Sequence, residues 1–188
     1  MAASPFALEQ TTLNNIRSLP PNTYLVHATN CLAEWGSGIA AELARIFPAA
    51  CAEYKKFCNT AKTNPSARWP PQSLTGRCLI IPPQPSDIAA GAPNIHIICL
   101  FTSYGYGRPN ARIGKPGKDD KRTILGQTDS ALKELRTQLE ARSDGDTVVY
   151  SPMFNSGAFS VPWDDTARVI EREFEGWDGR WLVMAPPP

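Results

Sequence analysis

Residues 25–47 read LVHATNCLAEWGSGIAAELARIF, and this stretch decides the fold that we predict for the chain. An apolar run that begins near Thr23 predicts a strand ending at Val26, with polar residues at its tip: His27, Thr29 and Asn30. Gly36-Ser37-Gly38 then forms a loop whose backbone can approach a ligand closely, because glycine has no Cβ. Apolar residues recur at helical spacing over residues 39–47. The predicted order is therefore strand, polar tip, small-residue loop and helix.

This order predicts a binding site for phosphate. A loop that opens a helix presents free backbone N–H groups and the positive end of the helix dipole, and this combination binds phosphate or pyrophosphate. A second small-residue loop, residues 155–159, follows a later predicted strand. In open α/β sheets such loops meet at the carboxyl ends of the strands. Two of them suggest a ligand with more than one phosphate.

The rest of the chain alternates strands and helices. Apolar, β-branched runs predict strands at residues 77–81, 94–102, 147–153 and 181–184. The run 94–102 is nearly unbroken, which indicates a central strand buried on both faces. Helical spacing predicts helices after Pro48 and over residues 125–139 and 163–174. This alternation favours a mostly parallel sheet with helices on both faces.

The first 22 residues leave two alternatives open. Ser4-Pro5 could begin a helix that runs to about Ile16 or Ser18. Alternatively, residues 6–13 could be an edge strand. A length of 188 residues with no internal repeat and no clear linker indicates one domain, residues 1–188. The secondary structure of its N-terminal segment, residues 1–22, is not decided by the sequence.

The composition argues against several classes of partner. The chain has 19 basic and 18 acidic side chains, so its charge predicts neither a direct nucleic-acid partner nor a membrane partner. The N-terminus MAASPFALEQ lacks a basic segment followed by an apolar one, so we expect no signal peptide. Five cysteines without a CxxC pair indicate reduced thiols and a location in the cytoplasm or nucleus. We expect a monomer without a cofactor, and two histidines give no support to a metal site.

Of three familiar phosphate-binding or phosphatase motifs, two are absent from the sequence and the third occurs in the wrong structural context. The chain has no P-loop, and no cysteine is followed by an arginine six residues later. Residues 144–148, DGDTV, match the pattern of aspartate-nucleophile phosphatases. In those enzymes the aspartates follow a strand, whereas here they precede one. We interpret Asp144-Gly145-Asp146 as a turn.

The remaining candidates each have a structural and a functional interpretation. His27 is either a core histidine or a general acid/base beside Asn30, whereas His96, inside an apolar run, is interpreted as structural. Phe159 and Trp35 either pack in the core or stack on a sugar or base. Residues 103–122 form a long loop of the kind that is often functional or mobile. Its basic side chains are either solvated or in contact with phosphates: Arg108, Arg112, Lys115, Lys118 and Lys121.

Several of these segments together resemble one known family. His27-Ala28-Thr29-Asn30-Cys31, followed by WGSGIA at residues 35–40, resembles the first ligand loop of macrodomains. Gly76-Arg77-Cys78, residues 99–103 and the sequence NSGAFSVPW at residues 155–163 extend the match. The chain is most similar to the fungal ADP-ribose 1″-phosphate phosphatase branch. The resemblance runs from about Tyr24 to the C-terminus.

The resemblance implies a three-layer α/β/α sandwich around a mixed, mostly parallel six-stranded sheet that binds ADP-ribose. His27 would be catalytic, either protonating the leaving ribose oxygen or orienting a water. Asn30 would hold the distal ribose, and Phe159 would lie against a ribose. The implied substrate-binding residues are Asn30, Cys31, Trp35, Gly36, Ser37, Gly38, Ile39, Thr102, Ser103, Asn155, Ser156, Gly157, Ala158 and Phe159.

The resemblance also has departures. The family usually reads adenine with a polar side chain in Gly-Asp-Ile or Gly-Asn-Ile, to which only Asn14-Asn15-Ile16 comes close here. Gly36-Ser37-Gly38 replaces the usual three glycines. Relatives that remove ADP-ribose from glutamate use a lysine and an aspartate, where this chain has Ser103 or Tyr104 and Phe159.

We therefore expect an enzyme that hydrolyses ADP-ribose 1″-phosphate, which is a by-product of tRNA splicing in the family. Two alternatives use the same loops. One is a non-catalytic reader of ADP-ribose or of mono-ADP-ribosylated protein. The other is a hydrolase that removes ADP-ribose from modified proteins.

Overall fold

The strand that opens the 25–47 stretch lies inside a six-stranded sheet. In the computed structural model, which describes residues 5–142 and 146–186, the strand order is β1-β6-β5-β2-β4-β3. Among the described residues only the pair β3–β4 is antiparallel, and the other neighbours are parallel. The strands are β1 (Glu9–Gln10), β2 (Tyr24–Thr29), β3 (Cys78–Ile81), β4 (His96–Phe101), β5 (Val148–Ser151) and β6 (Arg180–Val183).

Helices cover both faces of this sheet, because residues of β2 and β4 alternate between two apolar layers. Leu25 and Ile97 pack with Leu43 and Tyr54 on one face. Val26 and its register partner Ile98 face the other layer, which contains Leu132, Leu135, Ile170 and Phe174. The helices are α1 (Gly38–Ile46), α2 (Pro48–Thr60), α3 (Pro85–Ala89), α4 (Lys121–Arg142) and α5 (Trp163–Glu173). The predicted three-layer α/β/α sandwich is confirmed.

The N-terminal segment contains an edge strand, and the alternative of a helix up to Ile16 or Ser18 is wrong. β1 pairs in parallel with β6, and Arg180 donates to the Glu9 carboxylate at 2.8 Å across this edge. Only Ile16–Ser18 is helical, as one 3₁₀ turn capped by the Asn15 side chain. The helix start predicted at Ser4 and the turn predicted at Asp144-Gly145 lie outside the described residues.

Two other elements differ from the prediction. β2 continues to Thr29, so that His27 is an interior residue of the strand and not part of its tip. The short helix α3 was not predicted. It places the buried Asp87 carboxylate at the start of α2, where it accepts from the N–H groups of Ala49 and Ala50 at 2.9 and 3.0 Å. Such a carboxylate satisfies free donors of a helix N-terminus. In the described part of the chain, no helix combines the length and the apolar character needed to cross a membrane.

We expect Gly126→Ala to stabilise the fold. Gly126 is exposed inside α4, and a Cβ built there meets no atom within 4 Å. Alanine should add about 0.5–1 kcal/mol of stability, because glycine loses more backbone entropy in a helix. For a chain of this size that raises the thermal midpoint by roughly 1–4 °C.

Thermal unfolding followed by circular dichroism measures this shift. Gly76→Ala is the matched control, because Gly76 has a φ of +77° and its Cβ would lie 3.0 Å from the Ser130 side chain. The control should lower the midpoint. A lower midpoint for Gly126→Ala would contradict our account of α4.

Candidate functional site

A cavity of about 600 Å³ opens at the carboxyl ends of β2, β5 and β6. Four segments form its wall. Residues 28–30, Glu34 and residues 36–40 come from the end of β2, the loop that follows it and the start of α1, and Tyr106 comes from the loop after β4. Residues 152–159 follow β5, and residues 184–186 follow β6. This is the edge at which open α/β sheets bind ligands.

The first loop is held in shape from behind by buried side chains. The Asn30 amide donates to the Glu34 carbonyl at 2.8 Å, and its Oδ1 accepts from the N–H of Leu32 at 2.9 Å. The hydroxyl of the buried Tyr54 donates to the Asn30 carbonyl at 2.8 Å. Trp35 stacks on the Tyr54 ring with centroids 4.8 Å apart. These contacts keep the Trp35 side chain off the cavity wall and hold the loop backbone next to it.

The first turn of α1 faces the cavity with free backbone donors. Ser37 is the N-cap, and its side chain makes no capping bond to the helix. The first helical bond runs from Ala41 N–H to the Ser37 carbonyl at 3.2 Å, so the N–H groups of the preceding turn have no helical partner. No acidic residue occupies that turn. Gly38 supports this geometry with a φ of +56°. The positive end of the helix dipole therefore points into the cavity.

The second loop is held by the buried side chain of Asn155. Its Oδ1 accepts from the Thr102 hydroxyl at 2.8 Å, and its amide donates to Thr128 at 3.0 Å and to Thr166 at 3.3 Å. Asn155 itself has a φ of +66°, and its carbonyl accepts from Val161 N–H at 2.8 Å. This network presents residues 156–159 to the cavity.

The two loops differ in how they could bind an anion. α5 begins only at Trp163, and Asp164 and Asp165 occupy its first turn. Its dipole is thus countered by its own carboxylates, and neither residue lines the cavity. Phe159 packs against Ile124 and Val161 at the cavity wall. The second loop therefore offers backbone groups and an aromatic ring, whereas the first also offers a helix N-terminus.

The cavity has an apolar end and a polar end. The strand order places the segment after β6, Met184-Ala185-Pro186, at one end, beside Pro152 and Met153 after the neighbouring β5. Asn30, Glu34 and Tyr106 lie toward β2 and β4 at the other end. Among the described residues of the wall, Glu34 has the only charged side chain, and no lysine or arginine contributes. An anionic ligand would be bound by backbone N–H groups.

The loop after β4 is ordered by its own lysine. The Lys115 ammonium donates to the carbonyls of Tyr106 and Arg108 at 2.5 and 2.9 Å and lies 4.2 Å from the Tyr106 ring centroid. Asp119 accepts from Tyr104 N–H at 2.8 Å and fixes the base of the loop. Of the five basic residues considered, none lines the cavity. Contact of these five side chains with a phosphate in the cavity therefore has no geometric support, and Lys115 and Lys121 are bound to protein groups instead of being merely solvated.

Comparisons with known proteins agree with this geometry. No model of a known protein family matches the chain. A protein of Aspergillus fumigatus named ADP-ribose 1″-phosphate phosphatase is 34% identical over 169 residues, which cover 81% of this chain and 83% of that protein. A protein of Debaryomyces hansenii with the same name is 35% identical over 157 residues, covering 78% of this chain and 80% of its own. The chain belongs to the ADP-ribose 1″-phosphate phosphatase family.

The fold is also that of solved macrodomains. The macrodomain of Mycobacterium tuberculosis DarG superposes with a TM-score of 0.68 at 18% identity, covering 97% of this chain and 99% of the other. At this identity the likeness concerns the fold alone. The family member described here thus has the macrodomain fold.

The structure brings together most of the residues predicted to bind substrate in this macrodomain. Those on the cavity wall are Asn30, Gly36, Ser37, Gly38, Ile39, Asn155, Ser156, Gly157, Ala158 and Phe159. Four of the predicted residues are buried and do not line the cavity, so they are not placed to contact a ligand there: Cys31, Trp35, Thr102 and Ser103. They support the loops instead: Cys31 N–H donates to the Tyr104 carbonyl at 2.9 Å, and Thr102 holds Asn155.

His27 lies behind the wall. Its side chain is fully buried, Nε2 is 3.5 Å from the Cys99 thiol, and its ring contacts the Trp35 ring edge-on at 5.1 Å. Burial lowers the pKa of His27 from 6.5 to about 4, so the imidazole is neutral at pH 7. Its expected position at the mouth of the loop is wrong, because β2 extends beyond it. Direct proton transfer from His27 to a ligand in the cavity has no geometric support.

Two polar residues of the wall, Glu34 and Tyr106, were not predicted from the sequence. Glu34 stands between the two halves of the first-loop motif, where its only signal is a lone carboxylate two residues before Gly36. Tyr106 lies in the long loop whose function was left open. The apolar end, which includes Met184 and Pro186, was also missed because apolar residues after a strand give no functional signal.

We expect His27 to make the fold sensitive to acid. Its pKa is about 4 in the folded protein and near 6.5 in the unfolded chain, which therefore binds more protons between these values. The free energy of unfolding should fall as the pH drops from about 6.5 to about 4, by roughly 3 kcal/mol from this residue at most.

Urea unfolding at intervals between pH 7 and pH 4 measures this dependence. His27→Leu should flatten it by about one proton, whatever its overall stability. His96→Gln is the control, since His96 lies at the start of β4, stacked on Tyr24 and half-buried. An unchanged slope in His27→Leu would show that the burial of His27 does not control the acid response.

Proposed function

We propose that this macrodomain hydrolyses ADP-ribose 1″-phosphate to ADP-ribose and phosphate. One observation carries the proposal: the first turn of α1 and the loop 156–159 converge on a single cavity with backbone groups suited to two phosphates. The proposal is further supported by the names of relatives that are 34–35% identical over about four-fifths of this chain.

The two ends of the cavity suggest how such a ligand lies. A flat nucleobase fits the apolar end formed by Met153, Met184 and Pro186, where thioethers and proline rings offer van der Waals contact. The diphosphate then lies between the first turn of α1 and the second loop. This places the distal ribose at the polar end, near Asn30, Phe159 and Tyr106.

In the proposed ligand orientation, catalysis depends on preorganised backbone dipoles and on few side chains. Backbone donors that are already oriented stabilise oxyanion charge without reorganising during the reaction. The Asn30 amide and the Asn155 network fix the two loops before a ligand arrives. The same cavity would also accept ADP-ribose attached to a protein, and it would serve a reader without turnover, so the test must separate binding from chemistry.

We also propose that the protein acts in the cytoplasm or nucleus, on the 1″-phosphate formed during tRNA splicing. All five cysteines are free and buried in the structure. Burial raises the pKa of Cys58 to about 12 and also raises the pKa of Cys31 and of Cys99. Such thiols behave as reduced core residues, which supports a reducing compartment.

The deciding experiment combines phosphate release with calorimetry. The wild-type protein should release inorganic phosphate from ADP-ribose 1″-phosphate and should bind ADP-ribose. Binding without release would contradict the phosphatase proposal and favour a reader or a hydrolase of ADP-ribosylated protein. Absence of binding would contradict any ADP-ribose function of this cavity.

We expect Gly157→Val to weaken ADP-ribose binding at least about tenfold, or about 1.4 kcal/mol. Gly157 lines the cavity, and a Cβ built there meets no protein atom within 4 Å. The added side chain should therefore occupy ligand space without disturbing the fold.

Calorimetric titration measures the affinity, and the thermal midpoint should stay within about 2 °C of the wild type. Gly126→Ala, remote on α4, is the control for binding. Unchanged affinity in Gly157→Val would place the ligand away from the second loop.

A further inference from the structure

Glu34 is the one acidic side chain on the described part of the cavity wall, and its backbone is fixed. Its carbonyl accepts from the Asn30 amide at 2.8 Å, and its N–H donates to the Tyr54 hydroxyl at 3.2 Å. Its Oε1 lies 3.1 Å from the position that a Cβ would take on Gly36. The carboxylate is therefore folded over the start of the phosphate loop.

This carboxylate is not neutralised by the protein. Among the described residues, no lysine or arginine forms an ion pair with Glu34. Its charge also reaches Tyr106, since the pKa of that phenol is raised by burial and then by Glu34. An anion beside an anion site opposes phosphate binding. Such a group can stabilise positive charge that develops close to it during the reaction.

The two possible reactions of a 1″-phosphate differ in this respect. If water attacks phosphorus, the transition state spreads negative charge over the phosphoryl oxygens. If the bond between C1″ and oxygen breaks, the ribose acquires oxocarbenium character, and carboxylates stabilise that charge in glycoside hydrolysis. Both routes give ADP-ribose and phosphate. Glu34 would raise the barrier of the first route and lower the barrier of the second.

Other groups that could activate water are poorly placed. His27 is buried behind the wall, and burial keeps the five thiols protonated. The Ser156 hydroxyl donates to the Met153 carbonyl within its own loop. Glu34 lies at the polar end with Asn30 and Tyr106, where the proposed ligand orientation puts the distal ribose.

We propose that Glu34 is a catalytic residue and that the reaction breaks the C1″–O bond and not the P–O bond. The Glu34 carboxylate takes a proton from the water whose oxygen bonds to C1″. The electron pair of the C1″–O bond leaves with the phosphate oxygen, and the proton passes on to the phosphate. The products are hydrogen phosphate and ADP-ribose with a 1″-hydroxyl derived from water. This inference rests on the proposed phosphatase function.

Hydrolysis in ¹⁸O-labelled water tests which bond breaks. The released phosphate is analysed by mass spectrometry, because phosphate does not exchange oxygen with water at neutral pH whereas an anomeric hydroxyl can. We expect phosphate without the label, since its four oxygens all come from the substrate. One ¹⁸O atom in the phosphate would overturn the proposal. A wild-type protein that releases no phosphate would overturn the proposed function, and this inference with it.

Glu34→Gln tests the role of the residue. It removes the charge and keeps the shape, so kcat should fall by about 10²- to 10⁴-fold. ADP-ribose should bind with equal or higher affinity, because a like charge next to the phosphates is gone, whereas damage to the loop would weaken binding. Glu53→Gln, the same change at an exposed site on α2 away from this cavity, should retain wild-type turnover. Full turnover in Glu34→Gln would overturn the proposal.

Discussion

The buried contact between Tyr54 and Asn30 is the interaction on which this site depends. Tyr54 comes from α2 and is fully buried, yet its hydroxyl meets the Asn30 carbonyl and the Glu34 N–H across the first loop. A buried polar group without a partner costs about 1–3 kcal/mol, so this hydroxyl and these backbone groups constrain each other. The constraint sets the course of the chain into α1. The orientation of the α1 N-terminus follows from it.

The described cavity wall offers an anion backbone dipoles in place of cations. The described wall has no lysine or arginine, although the neighbouring loop is rich in them. Lys115 is committed to backbone carbonyls, and Lys121 pairs with Asp165 at 2.7 Å. Fixed N–H groups hold their orientation without a ligand, whereas long basic side chains must be ordered on binding. Glu34, a carboxylate without a cationic partner, is therefore the exception among the described residues of this wall.

The sequence was sufficient to predict the layers and the two loops, because both rest on local patterns. Helical spacing after Gly38 and the unbroken run before Thr102 each have a direct structural cause. The two-residue strand Glu9–Gln10 has no such signal, since two residues carry no periodicity and only pairing with β6 defines them. Motif matching also cannot tell which loop residues face the ligand. Thr102 and Asn155 are neighbours in the same network, but only Asn155 lies on the wall.

His27 shows why a motif residue near a site need not touch the substrate. Once β2 runs to Thr29, side chains alternate across the sheet, and His27 shares a face with Leu25. There its ring packs on Trp35, Trp35 stacks on Tyr54, and Tyr54 holds the first loop. A change at His27 would thus reach the cavity through three packed rings. Loss of turnover in a His27 variant would not by itself identify an acid or a base, because displacement of the loop that carries Asn30 and Glu34 produces the same loss. Only a group that changes turnover while leaving ligand affinity intact can be assigned to the chemistry.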